Sequence, residues 1–177
     1  GNISVAAVNA GGTPATDNAI AAFLTGAIAT DNVDGTISAI SHDAPITFPL
    51  GTTTVTFSAT DSAGNHGIAE ATVTVQDEAT PVVTAPLAIT VSAVDGSGTS
   101  ATDSAIAAFL SGASATDNVD GSIALISHNA PAMFPLGTTA VIFSAIDSAG
   151  NTGTAQATVT VQDSGAPVIN APGNITV

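Results

Sequence analysis

Thr52-Thr53-Thr54-Val55-Thr56-Phe57-Ser58-Ala59 alternates polar and apolar side chains, with Val55, Phe57 and Ala59 on one face. Ala71-Thr72-Val73-Thr74-Val75-Gln76 repeats the pattern, directing Val73 and Val75 inward and the threonines to water. A strand turns successive side chains to opposite faces, so a period of two in Val and Thr predicts half-buried antiparallel strands. Pro49-Leu50-Gly51 and Asp61-Ser62-Ala63-Gly64-Asn65 supply turns before and between them.

One stretch departs from this pattern. Ile20, Phe23 and Leu24 stand at i, i+3 and i+4 of an alanine-rich run. Thr16 or Asp17 can cap its start and Gly26 can stop it, which predicts a helix of two turns. Asp103 is the equivalent cap further along the chain.

The whole pattern returns 86 residues later. Asp17–Leu24 reappears as Asp103–Leu110, Ala29–Gly35 as Ala115–Gly121, Phe48–Thr53 as Phe134–Thr139, Asp61–Asn65 as Asp147–Asn151 and Val73–Asp77 as Val159–Asp163. An ungapped offset with most positions identical marks a tandem array. The expected boundaries are 1–78 for one repeat lacking its opening strand, 79–164 for a second, and 165–177 for the start of a third. Pro81–Pro86 and Pro167–Pro172 each precede an Ile-Thr-Val strand, and nothing similar precedes Ile3. A window cut from a longer array accounts for this most simply. In a donor-strand polymer, the alternative, Gly173–Val177 would fall where the next subunit has its own Gly1–Val5.

Several short strands and almost no helix predict an all-β chain of two tandem immunoglobulin-like β-sandwich domains, each with one short helical insertion. Trp and Cys are absent, so Phe23, Phe48 and Phe57 carry the core with Val, Ile and Ala. A domain of this size buries only about 60–65% of its unfolded surface. Such a core calls for further stabilisation.

Composition removes whole classes of function. There is no Lys or Arg, and 14 acids leave a formal charge of −14. Nucleic acid and nucleoside triphosphates find no cationic grip, and an anionic membrane repels the chain. No apolar run spans a bilayer. Thiol chemistry, zinc–sulfur sites and Lys–Asn cross-links are excluded as well.

Twelve of the acids are Asp. They concentrate in the Asp31-Asn32-Val33-Asp34-Gly35 turn, at Asp61 and at Asp77, with equivalents Asp117, Asn118, Asp120, Asp147 and Asp163. In a sandwich of this topology the first two loops share a pole, and the last strand delivers Asp77 toward Asp117, Asp120 and Asp147. Asp163 would approach a third repeat in the same way. Carboxylates converging with no cationic side chain repel one another, and a divalent cation removes the conflict. Hard oxygen donors in loops suit Ca²⁺. The expected ligands are therefore Asp31, Asn32, Asp34, Asp61, Asp77, Asp117, Asn118, Asp120, Asp147 and Asp163. The competing reading makes them ordinary turn residues beside Gly. Asp95-Gly96-Ser97-Gly98-Thr99 is read as a loop, because its counterpart Asn9-Ala10-Gly11-Gly12-Thr13 lacks the acid. His42 and His128 are read as exposed residues at strand ends. No Ser-His-Asp set or Gly-x-Ser-x-Gly elbow occurs, and no enzyme is expected.

The ordered series Ala29–Asn32, Phe48–Asn65 and Ala71–Asp77, repeated at 115–118, 134–151 and 157–163, resembles the hyalin repeat family. That resemblance implies an immunoglobulin-like sandwich in extracellular, multi-domain adhesive proteins. Eukaryotic members often carry a cysteine pair, so its absence here implies a bacterial version. The leading expectation is a structural segment of a long extracellular, cell-surface filament or adhesin stalk, rigidified by Ca²⁺ between repeats. Its partners would be neighbouring repeats or identical subunits, without nucleic acid or membrane insertion. The rival expectations are a module binding a glycan or protein receptor, and an accessory domain of a secreted hydrolase.

Overall fold

The alternating stretches form a hairpin on which the first repeat is built. The computed structural model describes residues 1–173. The first repeat runs through β1 (Ile3–Ala6), β2 (Thr13–Pro14), α1 (Asn18–Thr25), β3 (Ala29–Asp31), β4 (Gly35–Ile37), β5 (Ile40–His42), β6 (Thr47–Phe48), β7 (Gly51–Thr60) and β8 (His66–Gln76). The second runs through β9 (Val82–Thr84), β10 (Ile89–Ser92), β11 (Thr99–Ser100), α2 (Ser104–Leu110), β12 (Ser114–Asp117), β13 (Gly121–Ser122), β14 (Ile126–His128), β15 (Met133–Phe134), β16 (Gly137–Ile146) and β17 (Thr152–Gln162).

β7 and β8 pair antiparallel from Gly51↔Val75 to Thr60↔His66. Their turn closes because Asn65 donates its backbone N–H to Asp61 Oδ1 at 2.7 Å, while Gly64 takes a φ of 89°. β5 lies antiparallel on the free edge of β7, and β1 lies parallel on β8 with Ile3 opposite Val73. The sheet order is β1-β8-β7-β5, and β10-β17-β16-β14 reproduces it in the second repeat. The alternating stretches of β7 and β8 pair antiparallel as expected, and β1 adds a parallel member that alternation does not address. Partners at opposite ends of a repeat are joined by a crossover, not a hairpin, and residue alternation carries no sign of that.

The opposing layer is made of fragments. It consists of β2-β6 and β3-β4 in the first repeat, and of β11-β15 and β13-β12-β9 in the second. Between the layers of the first repeat, Val55 and Phe57 from β7 meet Val73 and Val75 from β8, with Ile20 and Phe48. Val141, Phe143, Val159, Val161, Ile106 and Phe134 take the same places in the second core. Both repeats are therefore all-β sandwiches with one helical insertion. Burying each such side chain contributes about 1.5–3 kcal/mol.

Both helices start as expected. Asp17 Oδ1 accepts from the N–H groups of Ala19 and Ile20, and Asp103 Oδ1 from those of Ala105 and Ile106. A buried residue that alternation does not flag is Thr13, whose hydroxyl donates to the Ala6 carbonyl at 2.8 Å; Thr99 does the same to Ser92.

The chain divides into two compact units whose limits do not follow the repeats. The first contains Gly1–Val82 with Ala115–Ala124 and Ile146–Gly153, and the second contains Val83–Ser114, Leu125–Ala145 and the chain from Thr154 onward. The loops 115–124 and 146–153 of the second repeat thus belong with the first sandwich. Val119 packs against the first core, and Asn118 donates its side-chain amide to the carbonyls of Ala7 and Val8. Among the described residues, no helix is long and apolar enough to cross a membrane.

Candidate metal centre

The acidic loops are held shut mainly by their own backbone. Asp31 Oδ1 accepts from the N–H groups of Val33 and Asp34, and Asp117 Oδ1 from those of Val119 and Asp120. Asp147 spends Oδ1 on the Asn151 N–H at 2.7 Å and Oδ2 on the Asn151 side-chain amide at 2.9 Å, as Asp61 does with Asn65. Neighbouring loops are then tied together. Asp34 accepts from the backbone N–H and the hydroxyl of Ser62, and Asp120 accepts from both groups of Ser148. Two loops 28 residues apart therefore share one pole in each repeat.

Asp77 leaves the end of β8 into this environment. Asp77, Asp117 and Asp147 each place a carboxylate oxygen so that all three lie within 4.8 Å of one another. All three belong to the first compact unit. Asp77 Oδ1 accepts from the Ala79 N–H at 3.2 Å, and the Asp77 carbonyl accepts from the Asn151 amide. Asp77 Oδ2 and Asp117 Oδ2 are buried and have no hydrogen-bond partner. Two buried carboxylate oxygens without a donor, beside a third carboxylate, depart from the rule that buried polar groups are hydrogen-bonded.

The electrostatics follow from this geometry. Burial pushes the Asp77 carboxyl above the ordinary carboxylate range, and the charges on Asp117, Asp147 and Asp120 push the same way against the Ala79 N–H. Burial also raises Asp147, but the side-chain and backbone N–H groups of Asn151, with those of Gly150 and Ala149, outweigh it and hold the group low. Asp31 is held low by the N–H groups of Asp34 and Val33, and Asp61 by Asn65.

Of the ten residues picked from the sequence, Asp77, Asp117 and Asp147 are gathered. Asp120 stands close enough to raise Asp77 but spends both oxygens on Ser148. Asn118 turns its amide to Ala7 and Val8. Asp31, Asp34 and Asp61 occupy the equivalent loops of the first repeat, with Asn32 exposed beside them. Asp163 Oδ1 accepts from the Gly165 N–H. Among the described residues, the one group of three acids in metal-binding range is Asp77, Asp117 and Asp147. Reasoning from sequence missed Ser62 and Ser148, which bring the loops together. Their signal was present, since both follow an Asp in the recurring Asp-Ser-Ala-Gly-Asn block.

The histidines are not part of this site. His42 and His128 end strands, where each accepts a backbone N–H on Nδ1 and stands edge-to-face with Phe57 or Phe143.

The HYR domain, a family of repeats, matches residues 3–76 and again 76–161. The chain belongs to the hyalin repeat family. It is 37% identical over 160 residues to hyalin of Strongylocentrotus purpuratus, covering 86% of this chain and 13% of that protein. It is 40% identical over 158 residues to hyalin of Lytechinus variegatus, covering 85% of this chain and 28% of that protein. The chain thus spans less than a third of either relative. Of the start of a third repeat expected over 165–177, residues 174–177 lie outside the described residues.

Proposed function

We propose that this chain is a load-bearing segment of an extracellular, adhesion-type filament or stalk, in which Ca²⁺ bound by Asp77, Asp117 and Asp147 locks one hyalin repeat to the loops of the next. The observation carrying this reading is the pair of buried, unpartnered oxygens, Asp77 Oδ2 and Asp117 Oδ2, within a set of three carboxylates. The donors are all hard oxygens, and the chain has no thiolate and no cationic side chain to compete. That chemistry favours Ca²⁺, which takes six to eight oxygens in loosely constrained geometry and can complete its shell with water. The bound ion would supply positive charge where the protein has none, and the residues supply position. Asp77 comes from a strand end, whereas Asp117 and Asp147 are held by their own turns.

Extracellular placement is supported by the hyalin relatives and by tandem repetition. The lack of Lys and Arg also removes every cleavage site for trypsin-like proteases, which suits an exposed fibre. Both relatives are sea-urchin proteins, so the bacterial origin rests only on the missing cysteine pair and the Ala19–Leu24 insertion.

Isothermal titration of the 177-residue chain with CaCl₂ tests the reading. One site is expected, abolished by Asp77→Asn and by Asp117→Asn but retained in Asp31→Asn. Titration without saturable heat, or equal loss in all three variants, contradicts it.

A further inference from the structure

We propose that Asn118 is the positioning residue of the cation site, setting the spacing of Asp117 from Asp77 and with it the affinity and size preference for the ion. This role rests on the calcium reading above and falls to a residue that supplies no carboxylate. The Asn118 side-chain nitrogen donates to the carbonyl oxygens of Ala7 at 3.0 Å and Val8 at 3.2 Å. Both partners only accept, so the amide stands with its nitrogen toward them. Turned over, it would set its own oxygen against two others.

A short series of hydrogen bonds runs from one acid to the other. Asp117 Oδ1 accepts from the N–H groups of Val119 at 2.7 Å and Asp120 at 3.1 Å, which closes the turn around Asn118. Asn118 fastens that turn to the Ala7 carbonyl, and the Ala7 N–H donates to the Gln76 carbonyl at 2.7 Å. Gln76 ends β8 and immediately precedes Asp77. Ala7, itself buried, therefore accepts from the turn that carries Asp117 and donates to the strand that carries Asp77. Val119 gives the turn a second attachment by packing on the core of the first sandwich. A turn held at one point can swing about it, and a turn held at two cannot. All of these residues belong to the first compact unit.

What this series fixes is the pair of oxygens with no other restraint. Asp77 Oδ2 and Asp117 Oδ2 are buried without hydrogen-bond partners, so no donor sets the distance between them. That distance is inherited from the backbones that carry the two carboxylates. Like charges push those backbones apart, and the Asn118 bridge opposes the drift. Discrimination among hard cations depends on the size and flexibility of the oxygen cage. Groups that orient ligands without touching the ion change metal affinity by about 10–100-fold.

Isothermal titration of the intact chain with CaCl₂ and with MgCl₂ tests this on the parent, Asn118→Ala, Asn118→Asp and Asn9→Asp. Asn118 is exposed, so shortening it opens no cavity, and circular dichroism with melting in chelator establishes that each variant is folded at the titration temperature. Asn118→Ala is expected to weaken Ca²⁺ binding about tenfold. Mg²⁺ loses less, because loosened carboxylates can close on the smaller ion, whereas a loss of stability alone lowers both affinities alike. Asn118→Asp separates positioning from direct ligation. It brings a further carboxylate, which a ligand role turns into equal or tighter binding, but it can no longer donate to Ala7 and Val8. Binding at least as weak as that of Asn118→Ala is expected. Asn9→Asp controls for the added charge and keeps the parent's affinity, since Asn9 accepts from the Gly11 N–H as the equivalent Asp95 accepts from that of Ser97. Parental affinity in Asn118→Ala, equal loss for both ions, or Ca²⁺ affinity restored in Asn118→Asp overturns the proposal and leaves the calcium reading standing. A parent without saturable heat overturns both.

Discussion

Asp77 and Asp117 each keep one carboxylate oxygen buried without a hydrogen-bond partner, in a group of three acids whose oxygens lie within 4.8 Å. The arrangement opposes folding unless something positive enters it. Burial and mutual repulsion both act against ionising Asp77, and the chain holds no Lys or Arg to answer them. That stress is what the proposed cation would relieve.

That stress gives Asp77→Asn opposite effects in two buffers. In chelator the substitution removes one of three clustered charges and supplies a donor, so the variant melts above the parent. In millimolar Ca²⁺ the order reverses, because the parent gains the ion and the variant does not. Differential scanning calorimetry of both proteins in both buffers reads this crossing, and parallel midpoints would remove Asp77 from the site.

Acid has two opposing effects, and their signs are distinct. Asp31, Asp43, Asp61 and Asp147 sit below their ordinary value of 3.8, held there mostly by N–H donors. They contribute stability above that value, lost as pH falls through their lower folded values. Asp77 sits above 3.8, so the folded state holds its proton more tightly than the unfolded chain. Its contribution improves as pH falls through the raised folded value toward 3.8. The calcium-free parent should thus gain stability on mild acidification and lose it in stronger acid. Asp77→Asn should lack the part of the early gain that Asp77 supplies, as urea titrations across pH would record. Calcium response should fade in the same mild window, as protons displace the ion.

Gly12 and Gly98 are fixed by geometry. Both have positive φ, and a Cβ on either falls against the carbonyl oxygen of Phe48 or Phe134. Gly12→Ala should therefore cost about 2 kcal/mol or more, from backbone strain together with steric overlap. Gly64→Ala, with positive φ but open space, should cost less. Urea unfolding of the two variants separates the contributions, and equal losses would contradict the steric argument.

Local chemistry made much of the fold legible. Val55 and Phe57 in β7 and Val73 and Val75 in β8 declare their face by alternation alone, and Asp17 declares the start of α1 by its position before an apolar run. The pairing of β1 with β8 was not legible, since a parallel partner with most of a repeat between leaves no local trace. The approach of Asp77 to Asp117 and Asp147 followed from the direction of the last strand. The diversion of Asp120 to Ser148 did not, because a serine hydroxyl has many available acceptors and only the folded loops select one.

The most direct test of the account is thermal unfolding of the 177-residue chain in chelator, in millimolar Ca²⁺, and in Mg²⁺ at matched ionic strength. At 100-fold excess over its Kd, one calcium site stabilises by about 2.7 kcal/mol. The account predicts a rise in midpoint with Ca²⁺ that grows with the logarithm of its concentration. Mg²⁺ should produce a smaller rise, because it demands stricter octahedral geometry and gives up water reluctantly. A midpoint that depends on ionic strength alone, the same in all three buffers once salt is matched, would contradict the calcium site and return these aspartates to the role of turn residues.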